Sequence, residues 1–250
     1  MIGVVGGVGP YAGLDLARKI CDQTLATTDQ DHLPLVVVSI PRGIEDRTRY
    51  LLGQTDTNPG HALADIVFDL ERARATVVGI PCNTAHAPPI FDAILDRLDR
   101  VRSTVKVVHM LNEVLAHLRT RHPRVGTVGV LSTTGTQRSG IYTDLLASSG
   151  IAALAPPDDV QEALVHPAIY DPDYGIKAQA SPVSERARRD LLAAADGLIE
   201  RGAEAIVLGC TELPLALPEP AIGDVPLVDP TLVLARALIR EEAPHKLRPL

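Results

Sequence analysis

Two pairs of short stretches decide the fold of this chain. GVVGGVG occupies residues 3–9, and the similar GVLSTTG occupies residues 129–135, 126 positions later. In the second pair, VGIPCNT at 78–84 and IVLGCTE at 206–212 lie 128 positions apart, and each joins an apolar run to a cysteine. Two unrelated pairs at nearly the same offset indicate a duplicated α/β unit.

Short apolar runs alternate with stretches of helical period, which is typical of βα units that build a parallel sheet. The pattern predicts an α/β fold with two pseudo-symmetric domains, each a parallel sheet of about four strands flanked by helices. We expect an N-terminal domain of residues 1–108 with 218–250, and a second domain of 109–217. The predicted strands are Ile2–Gly6, Leu35–Ser39, Thr76–Pro81, Val105–His109, Val125–Leu131, Ala152–Ala155, Ala205–Leu208 and Val225–Val228.

The first helix is predicted from apolar residues that recur every three or four positions. Leu14, Ala17, Cys21 and Leu25 form this series, so we expect Cys21 to be a buried core residue. The segment 160–182 mixes helical hints with breakers such as Pro and Gly, and it predicts an irregular insertion or a lid.

Composition excludes several classes of function. Of the 250 residues, 46% are hydrophobic and 22% charged, so the chain is expected to fold around a core. Aromatic residues make up 3% and Trp is absent, which leaves little for stacking on single-stranded nucleic acid or sugars. A net charge of -7 attracts neither nucleic acid nor anionic membranes.

We expect neither a signal peptide nor a membrane span. The first ten residues have no cationic n-region, and no run reaches the roughly 18 apolar residues of a membrane span. Three scattered cysteines do not suggest a disulfide framework, so we expect a cytoplasmic protein with no membrane partner.

The glycine-rich start does not match a dinucleotide fingerprint. After Gly7 and Gly9 the next glycine is Gly13, and no acidic residue ends the second predicted strand. A tight turn that presents backbone N–H groups to a small carboxylate remains. The histidines and cysteines show no metal-ligand spacing, so no metal site is expected.

Cys82 and Cys210 follow corresponding predicted strands and precede polar turns. Because ligands of α/β sheets bind at the carboxyl ends of strands, we expect both thiols to converge on one interdomain cleft. There, one thiolate and one thiol would serve as base and acid on opposite faces of a stereocentre. Two alternatives are that they are small core residues or a redox-active disulfide pair.

Several motifs together resemble the aspartate/glutamate racemase family, most strongly its aspartate racemases. These are PCNTAH at 81–86, TTGT at 133–136, SGIY at 139–142, GCTE at 209–212 and PLVDP at 226–230. The resemblance covers nearly the whole chain in the correct order. It implies two α/β domains, two-base racemisation without a cofactor, and a homodimer.

The resemblance also implies roles for individual residues. Cys82 and Cys210 would be the catalytic acid/base pair. Arg47 and Lys177 would recognise the second carboxylate of an acidic substrate, and Asp46 could equally cap a helix. The residues implied to bind substrate are Val8, Arg42, Arg47, Asn83, Thr84, Ala85, Thr133, Lys177 and Thr211.

The function expected from the sequence is interconversion of L- and D-aspartate without a cofactor, with an acidic amino acid as the small-molecule partner. Glutamate is the nearest competing substrate. The alternatives are a glutamate racemase, another isomerase of the superfamily such as a hydantoin racemase or maleate isomerase, and a non-catalytic dicarboxylate-binding relative.

Overall fold

The computed structural model describes residues 1–249. The chain divides into two compact units, of which the first comprises Met1–Glu113 with Thr231–Leu250 and the second Val114–Pro230. Each unit contains its own sheet and its own buried core. Within the described residues, no helix has both the length and the apolar character needed to cross a membrane.

The sheet of the first unit has four parallel strands in the order β2-β1-β3-β4. The central strand β1 is buried at all five positions. Val4 and Val5, which point to opposite faces of β1, belong to two different core clusters, so both faces of the sheet are covered. The strands are β1 (Ile2–Gly6), β2 (Leu35–Ser39), β3 (Val77–Gly79) and β4 (Lys106–Val108).

Five helices follow these strands along the chain. Leu63 and Leu70 of α3 pack with Ile94 of α4 in one cluster, whereas Leu16 and Ile20 of α1 pack in the other. The helices are α1 (Pro10–Gln23), α2 (Arg47–Leu51), α3 (Pro59–Arg72), α4 (Pro88–Arg100) and α5 (Met110–Arg121).

The sheet of the second unit has five strands in the order β6-β5-β7-β9-β8. Four of them are parallel, and the short β8 is antiparallel to β9 at the edge. The strands are β5 (Thr127–Ser132), β6 (Ala152–Leu154), β7 (Ala205–Gly209), β8 (Ala221–Ile222) and β9 (Val225–Val228).

The segment 160–182, expected to be an irregular insertion or lid, contributes to the core of the second unit. A π-helical turn, Gln161–Val165, joins two short helices, and Val165, Ile169 and Ile176 are fully buried. Its first half is therefore helical and packed. The remaining helices are α6 (Thr134–Arg138), α7 (Ile141–Ala147), α8 (Asp158–Val160), α9 (His166–Tyr170), α10 (Glu185–Glu200), α11 (Leu213–Ala216) and α12 (Pro230–Glu242).

Strand order confirms the α/β architecture and the duplication. The sequence β2-β1-β3-β4 of the first sheet corresponds to β6-β5-β7-β9 of the second. The glycine-rich repeats begin in β1 and β5, and the two cysteine motifs follow β3 and β7. The added strand is β8, which the sequence pattern did not predict because it has only two residues.

The boundaries between the units differ from those expected from the sequence. Residues 218–230 were assigned to the N-terminal domain, but β9 hydrogen-bonds to β7 through the pairs Ile206↔Leu227 and Val207↔Val228. These backbone bonds make β9 the fourth parallel strand of the second sheet. The chain returns to the first unit only with α12.

The expected buried face of α1 is wrong. Cys21 is exposed and Leu14 is 59% exposed, whereas Leu16 and Ile20 are buried. Close packing at Gly13 explains the difference, because a Cβ there would lie 3.2 Å from the Cα of Gly6. The helix therefore turns the Gly13 side toward β1, and the series containing Cys21 faces outward.

Candidate functional site

The turn after β1 lies against the turn after β2. Gly7 has a φ of 85°, and a Cβ at this position would come within 2.8 Å of the backbone nitrogen of Pro41. Only glycine permits both features at low cost. The turn holds Val8, which is buried in one cluster with Cys82 and Ala85.

Cys82 lies just beyond the carboxyl end of β3 and precedes a 3₁₀ turn, Asn83–His86. Its backbone N–H donates to the carbonyl of Ile80 at 2.8 Å, and its carbonyl accepts from Ala85 N at 3.1 Å. The residue is 7% exposed. The predicted substrate-binding residues Asn83, Thr84 and Ala85 are therefore buried in the turn that carries Cys82.

His86 closes this turn from its far end. Its Nε2 lies 3.1 Å from the carbonyl oxygen of Ile80, and its ring packs against Phe91 and His109 at centroid distances of 5.0 and 4.8 Å. Because a carbonyl only accepts, Nε2 carries the proton. Burial, with a smaller contribution from His109, lowers the pKa of His86 to about 3, so the ring is neutral.

The two candidate arginines of the first unit have different surroundings. Arg42 lies in the exposed 3₁₀ turn Pro41–Gly43. Arg47 begins α2, is half-buried, and donates from Nη1 to the carbonyl of Glu45 at 3.3 Å. Asp46 caps α2 by accepting a bond from Arg49 N at 2.8 Å, which confirms the capping alternative.

In the second unit, Thr133 occupies the position after β5. Its Oγ1 caps α6 by accepting from Thr136 N at 3.2 Å, and it lies 3.1 Å from Oγ1 of Thr136. Both threonines are buried. Ser132 pairs in register with Gly209, the residue before Cys210, so the strand ends that carry Thr133 and Cys210 are neighbours.

Cys210 follows β7 and forms the first link of a polar chain. Its Sγ donates to Oε2 of Glu212 at 3.0 Å, and Oε1 of Glu212 accepts from Nζ of Lys177 at 2.7 Å. Cys210 and Glu212 are buried, while the Lys177 side chain retains 28% exposure. Thr211 Oγ1 also approaches Oε2 of Glu212, at 3.5 Å.

The charges of Glu212 and Lys177 and the burial of this site shift the pKa values of Cys210 and Lys177. Burial, followed by the charge of Glu212, raises the pKa of the Cys210 thiol well above its usual range, although Lys177 opposes the shift. Burial lowers the pKa of Lys177, but the charge of Glu212, its hydrogen bond to Lys177 and smaller contributions from Cys210 and Tyr170 together outweigh burial, and the net pKa is raised. At neutral pH the structure therefore contains a thiol, a carboxylate and an ammonium group in series.

The predicted site residues fall into two local groups. Val8, Cys82 and the turn 83–85 are close together in the first unit, with Arg42 and Arg47 on the segment that follows the neighbouring turn. Cys210, Thr211 and Lys177 are close together in the second, and Thr133 lies on the adjacent strand end. That the two groups form one site stays a prediction.

Sequence reasoning did not assign a role to Glu212 or His86. The signal for Glu212 was its place in the GCTE motif, two positions after a candidate catalytic cysteine. His86 had the same kind of signal, since it ends the PCNTAH motif. All three cysteines are free thiols, and residues 1–249 contain no group of three or more His, Cys, Asp or Glu side chains that could hold a metal ion.

Known proteins resemble the chain in sequence. It is 26% identical over 246 residues to the broad specificity amino-acid racemase RacX of Bacillus subtilis, with 96% of each chain aligned. It is 31% identical over 188 residues to the glutamate racemase of Corynebacterium glutamicum, which covers 72% of this chain and 60% of that protein. A shorter match spans 59% of a Pectobacterium carotovorum protein.

Structural similarity and a family model extend over nearly the whole chain. The aspartate racemase of Picrophilus torridus superposes with a TM-score of 0.76 at 26% identity, covering 96% of this chain and 93% of the other. The model of the Asp/Glu/Hydantoin racemase family matches residues 5–238. Because this family model matches more than half of the residues, the chain, which has one sheet in each unit and a cysteine motif after β3 and after β7, belongs to the Asp/Glu/Hydantoin racemase family.

Proposed function

We propose that this protein is a cofactor-independent racemase that interconverts L- and D-aspartate, with Cys82 and Cys210 as its two catalytic residues. The observation that carries the proposal is their equivalence: each cysteine follows the third strand of a 2-1-3-4 sheet and begins a polar turn. A racemase needs one base and one acid on opposite faces of the α-carbon, and a duplicated fold supplies two matched thiols.

In the proposed reaction, the thiolate of one cysteine removes the α-proton, and the thiol of the other donates its proton to the opposite face. The C–H bond breaks on one side while a new C–H bond forms on the other, so the carbon inverts. The enzyme is left with the protonation states of its two cysteines exchanged. The opposite enantiomer then reacts by the reverse transfer.

Removal of an α-proton beside a carboxylate places more negative charge on an anionic group, so oriented donors and cations must stabilise it. The buried turn 83–85 is our candidate for holding the α-carboxylate, since it follows Cys82 directly. Arg47 and Lys177 are the candidates for the second carboxylate. Lys177 uses one donor on Glu212, and its ammonium group has three.

The ionisation of Lys177 supports the proposal that no pyridoxal cofactor takes part. A Schiff base requires a neutral amine. The ion pair with Glu212 stabilises the ammonium form of Lys177, and its pKa is raised.

The choice of aspartate is supported by the Picrophilus torridus aspartate racemase, which covers nearly the whole chain. RacX covers the chain equally well and has broad specificity, so a wider substrate range is the second candidate. Glutamate is the third, from the matched Corynebacterium enzyme. Aspartate, glutamate and alanine therefore belong in the same assay.

A homodimer in the cytoplasm completes the proposal. The outward face of α1 presents Tyr11 at 47% exposure and Leu14 at 59%, and Leu25, two residues beyond the end of the helix, is 42% exposed. These residues, with Cys21, recur at spacings of three to seven along one side of the chain and form what we name the α1 stripe. Exposed apolar patches of this kind mark interaction surfaces. A reducing compartment would keep the three thiols free.

The test is incubation of each L-amino acid with the purified protein in D₂O without cofactor, followed by chiral separation and mass analysis. We expect α-deuterated D-aspartate from the unaltered protein and from Cys21→Ala, and no inversion by Cys82→Ala or Cys210→Ala. Full activity of either active-site variant would contradict the two-cysteine mechanism. Ligand binding without exchange would favour the non-catalytic alternative.

A further inference from the structure

We propose that Glu212, held by Lys177, is a positioning residue that keeps Cys210 protonated in the resting enzyme, so that Cys210 is the proton donor and Cys82 the base at the start of turnover. The assignment of Cys210 as proton donor and Cys82 as base rests on the proposed function. Its physical content, the protonation state of one thiol, is independent of turnover.

The direction of the hydrogen bonds places a proton on the sulfur of Cys210. A carboxylate has no proton to donate, so the 3.0 Å contact between Sγ of Cys210 and Oε2 of Glu212 requires the proton on sulfur. Nζ of Lys177 donates to the other carboxylate oxygen at 2.7 Å and stabilises its negative charge. Both hydrogen bonds to Glu212 can therefore form only when Cys210 is a thiol.

The charges around Cys210 act in the same sense. The titratable groups that face it are Glu212, Lys177 and the buried hydroxyl of Tyr142. Tyr142 remains neutral because burial raises its pKa, so it contributes no charge. Loss of the Cys210 proton would place a thiolate beside the carboxylate of Glu212 in a buried site, where like charges repel strongly.

The corresponding turn in the first unit differs in chemistry. Cys82 is followed by Asn83 and Thr84, where Cys210 is followed by Thr211 and Glu212. Asn83 therefore has the position of Thr211, and the neutral Thr84 has that of the carboxylate. The duplicated fold thus supplies two equivalent cysteines, and a single acidic residue makes their resting states unequal.

Each turnover from the resting enzyme moves the enzyme-bound proton from Cys210 to Cys82. Cys82, when it is in its thiolate form, takes the α-proton, while Cys210 gives its proton to the opposite face. The product complex then contains a Cys210 thiolate beside Glu212, which is the less stable arrangement. Proton exchange returns the enzyme to the resting form with Cys210 as thiol.

The decisive measurement is the rate of alkylation by iodoacetamide at each cysteine as a function of pH, quantified by mass spectrometry of the separate peptides. The rate at each cysteine is divided by the plateau that the same cysteine reaches at alkaline pH. The pH at half of that plateau is the midpoint for that cysteine. Free cysteine alkylated under the same conditions is the reference for an unperturbed thiol. In the unaltered protein we expect a higher midpoint for Cys210 than for Cys82. A Cys210 midpoint at or below that of Cys82 would overturn the inference. This comparison uses only the unaltered protein and does not depend on the folding of any variant.

The variant Glu212→Gln retains an acceptor oxygen but removes the charge. We expect its Cys210 midpoint to fall by about one pH unit or more, which corresponds to about tenfold more thiolate at neutral pH. Adding Lys177→Met to this variant should raise the midpoint again. An unchanged Cys210 midpoint in Glu212→Gln would contradict the assigned role. A higher midpoint would also contradict it, because Glu212 would then be acting as the base for Cys210.

Glu219→Gln is the matched control, because Glu219 is also paired with a cation, Arg188, in the same unit. We expect its Cys210 midpoint to equal that of the unaltered protein. The alkaline limb of kcat/KM should move with the Cys210 midpoint in Glu212→Gln. The expected midpoints in a protein that exchanges no α-hydrogen would support the inference about Cys210 and contradict the proposed function.

Discussion

Nε2 of His86 donates a hydrogen bond to the carbonyl oxygen of Ile80 at 3.1 Å, across the turn that carries Cys82. The bond ties the end of the 3₁₀ turn to the residue two positions before the cysteine. Because His86 and the neighbouring ring of Phe91 are both buried, the turn is fixed from inside the first unit. The position of Cys82 therefore depends on a side chain outside the proposed chemistry.

Replacing His86 by Phe tests this dependence. The ring packing is retained, but the carbonyl of Ile80 loses its side-chain donor, so we expect the free energy of unfolding to fall by about 1–3 kcal/mol near neutral pH. Urea unfolding measures the change. His122→Phe, at a half-buried position in the second unit, is the control and should change stability less. Equal stability of His86→Phe and the unaltered protein would contradict a role for the bond.

The free energies of unfolding of the unaltered protein and of His86→Phe should depend differently on pH. The pKa of His86 is about 3 in the folded protein against 6.5 ordinarily, so the unfolded chain binds the additional proton between these values. His86 therefore contributes stability above about pH 6.5 that is lost as the pH falls toward 3. The unaltered protein should lose up to about 1.4 kcal/mol more per pH unit than His86→Phe in this window. Parallel unfolding curves would show that His86 is not responsible.

Arg47→Met should raise the KM of aspartate by at least about tenfold while changing alanine turnover less, since a charged hydrogen bond to the second carboxylate contributes about 1.5–3 kcal/mol. Racemisation kinetics with both substrates measure the difference. Arg49→Met is the matched control, because Arg49 is an exposed residue of the same helix. Equal losses for both substrates would mean that Arg47 does not recognise the side chain.

Leu14→Asp should convert the proposed homodimer into a monomer, because it places a charge in the α1 stripe. Analytical ultracentrifugation of the two proteins at equal concentration measures the change. Leu95→Asp, at an exposed leucine of α4, should leave the dimer intact. A monomeric unaltered protein, or a dimeric Leu14→Asp, would exclude the stripe as the dimer interface.

Two glycines in helices should respond to substitution in opposite directions. A Cβ at Gly197 of α10 meets nothing within 4 Å, so Gly197→Ala should raise the free energy of unfolding by about 0.5–1 kcal/mol. Gly13→Val should lower it by about 1–3 kcal/mol, because the side chain would collide with the backbone of Gly6. Thermal unfolding compares the two variants. Destabilisation by Gly197→Ala would contradict the open space at that position.

The sequence by itself determined the duplicated α/β architecture, because apolar periodicity is a local property and two motif pairs at the same offset report the repeat directly. It also located both cysteines at strand ends. These features need no knowledge of which residues meet across the fold. The runs Ile2–Gly6 and Leu35–Ser39 matched the strands β1 and β2 at both ends.

Tertiary structure decided the features that depend on contacts between distant residues. The buried face of α1 follows from the approach of Gly13 to Gly6, since Cys21 and Ile20 both belong to apolar series of helical period. The assignment of β9 to the second sheet follows from its bonds to β7. The link from Cys210 through Glu212 to Lys177 joins residues 35 positions apart, and only folding brings that charge to the thiol.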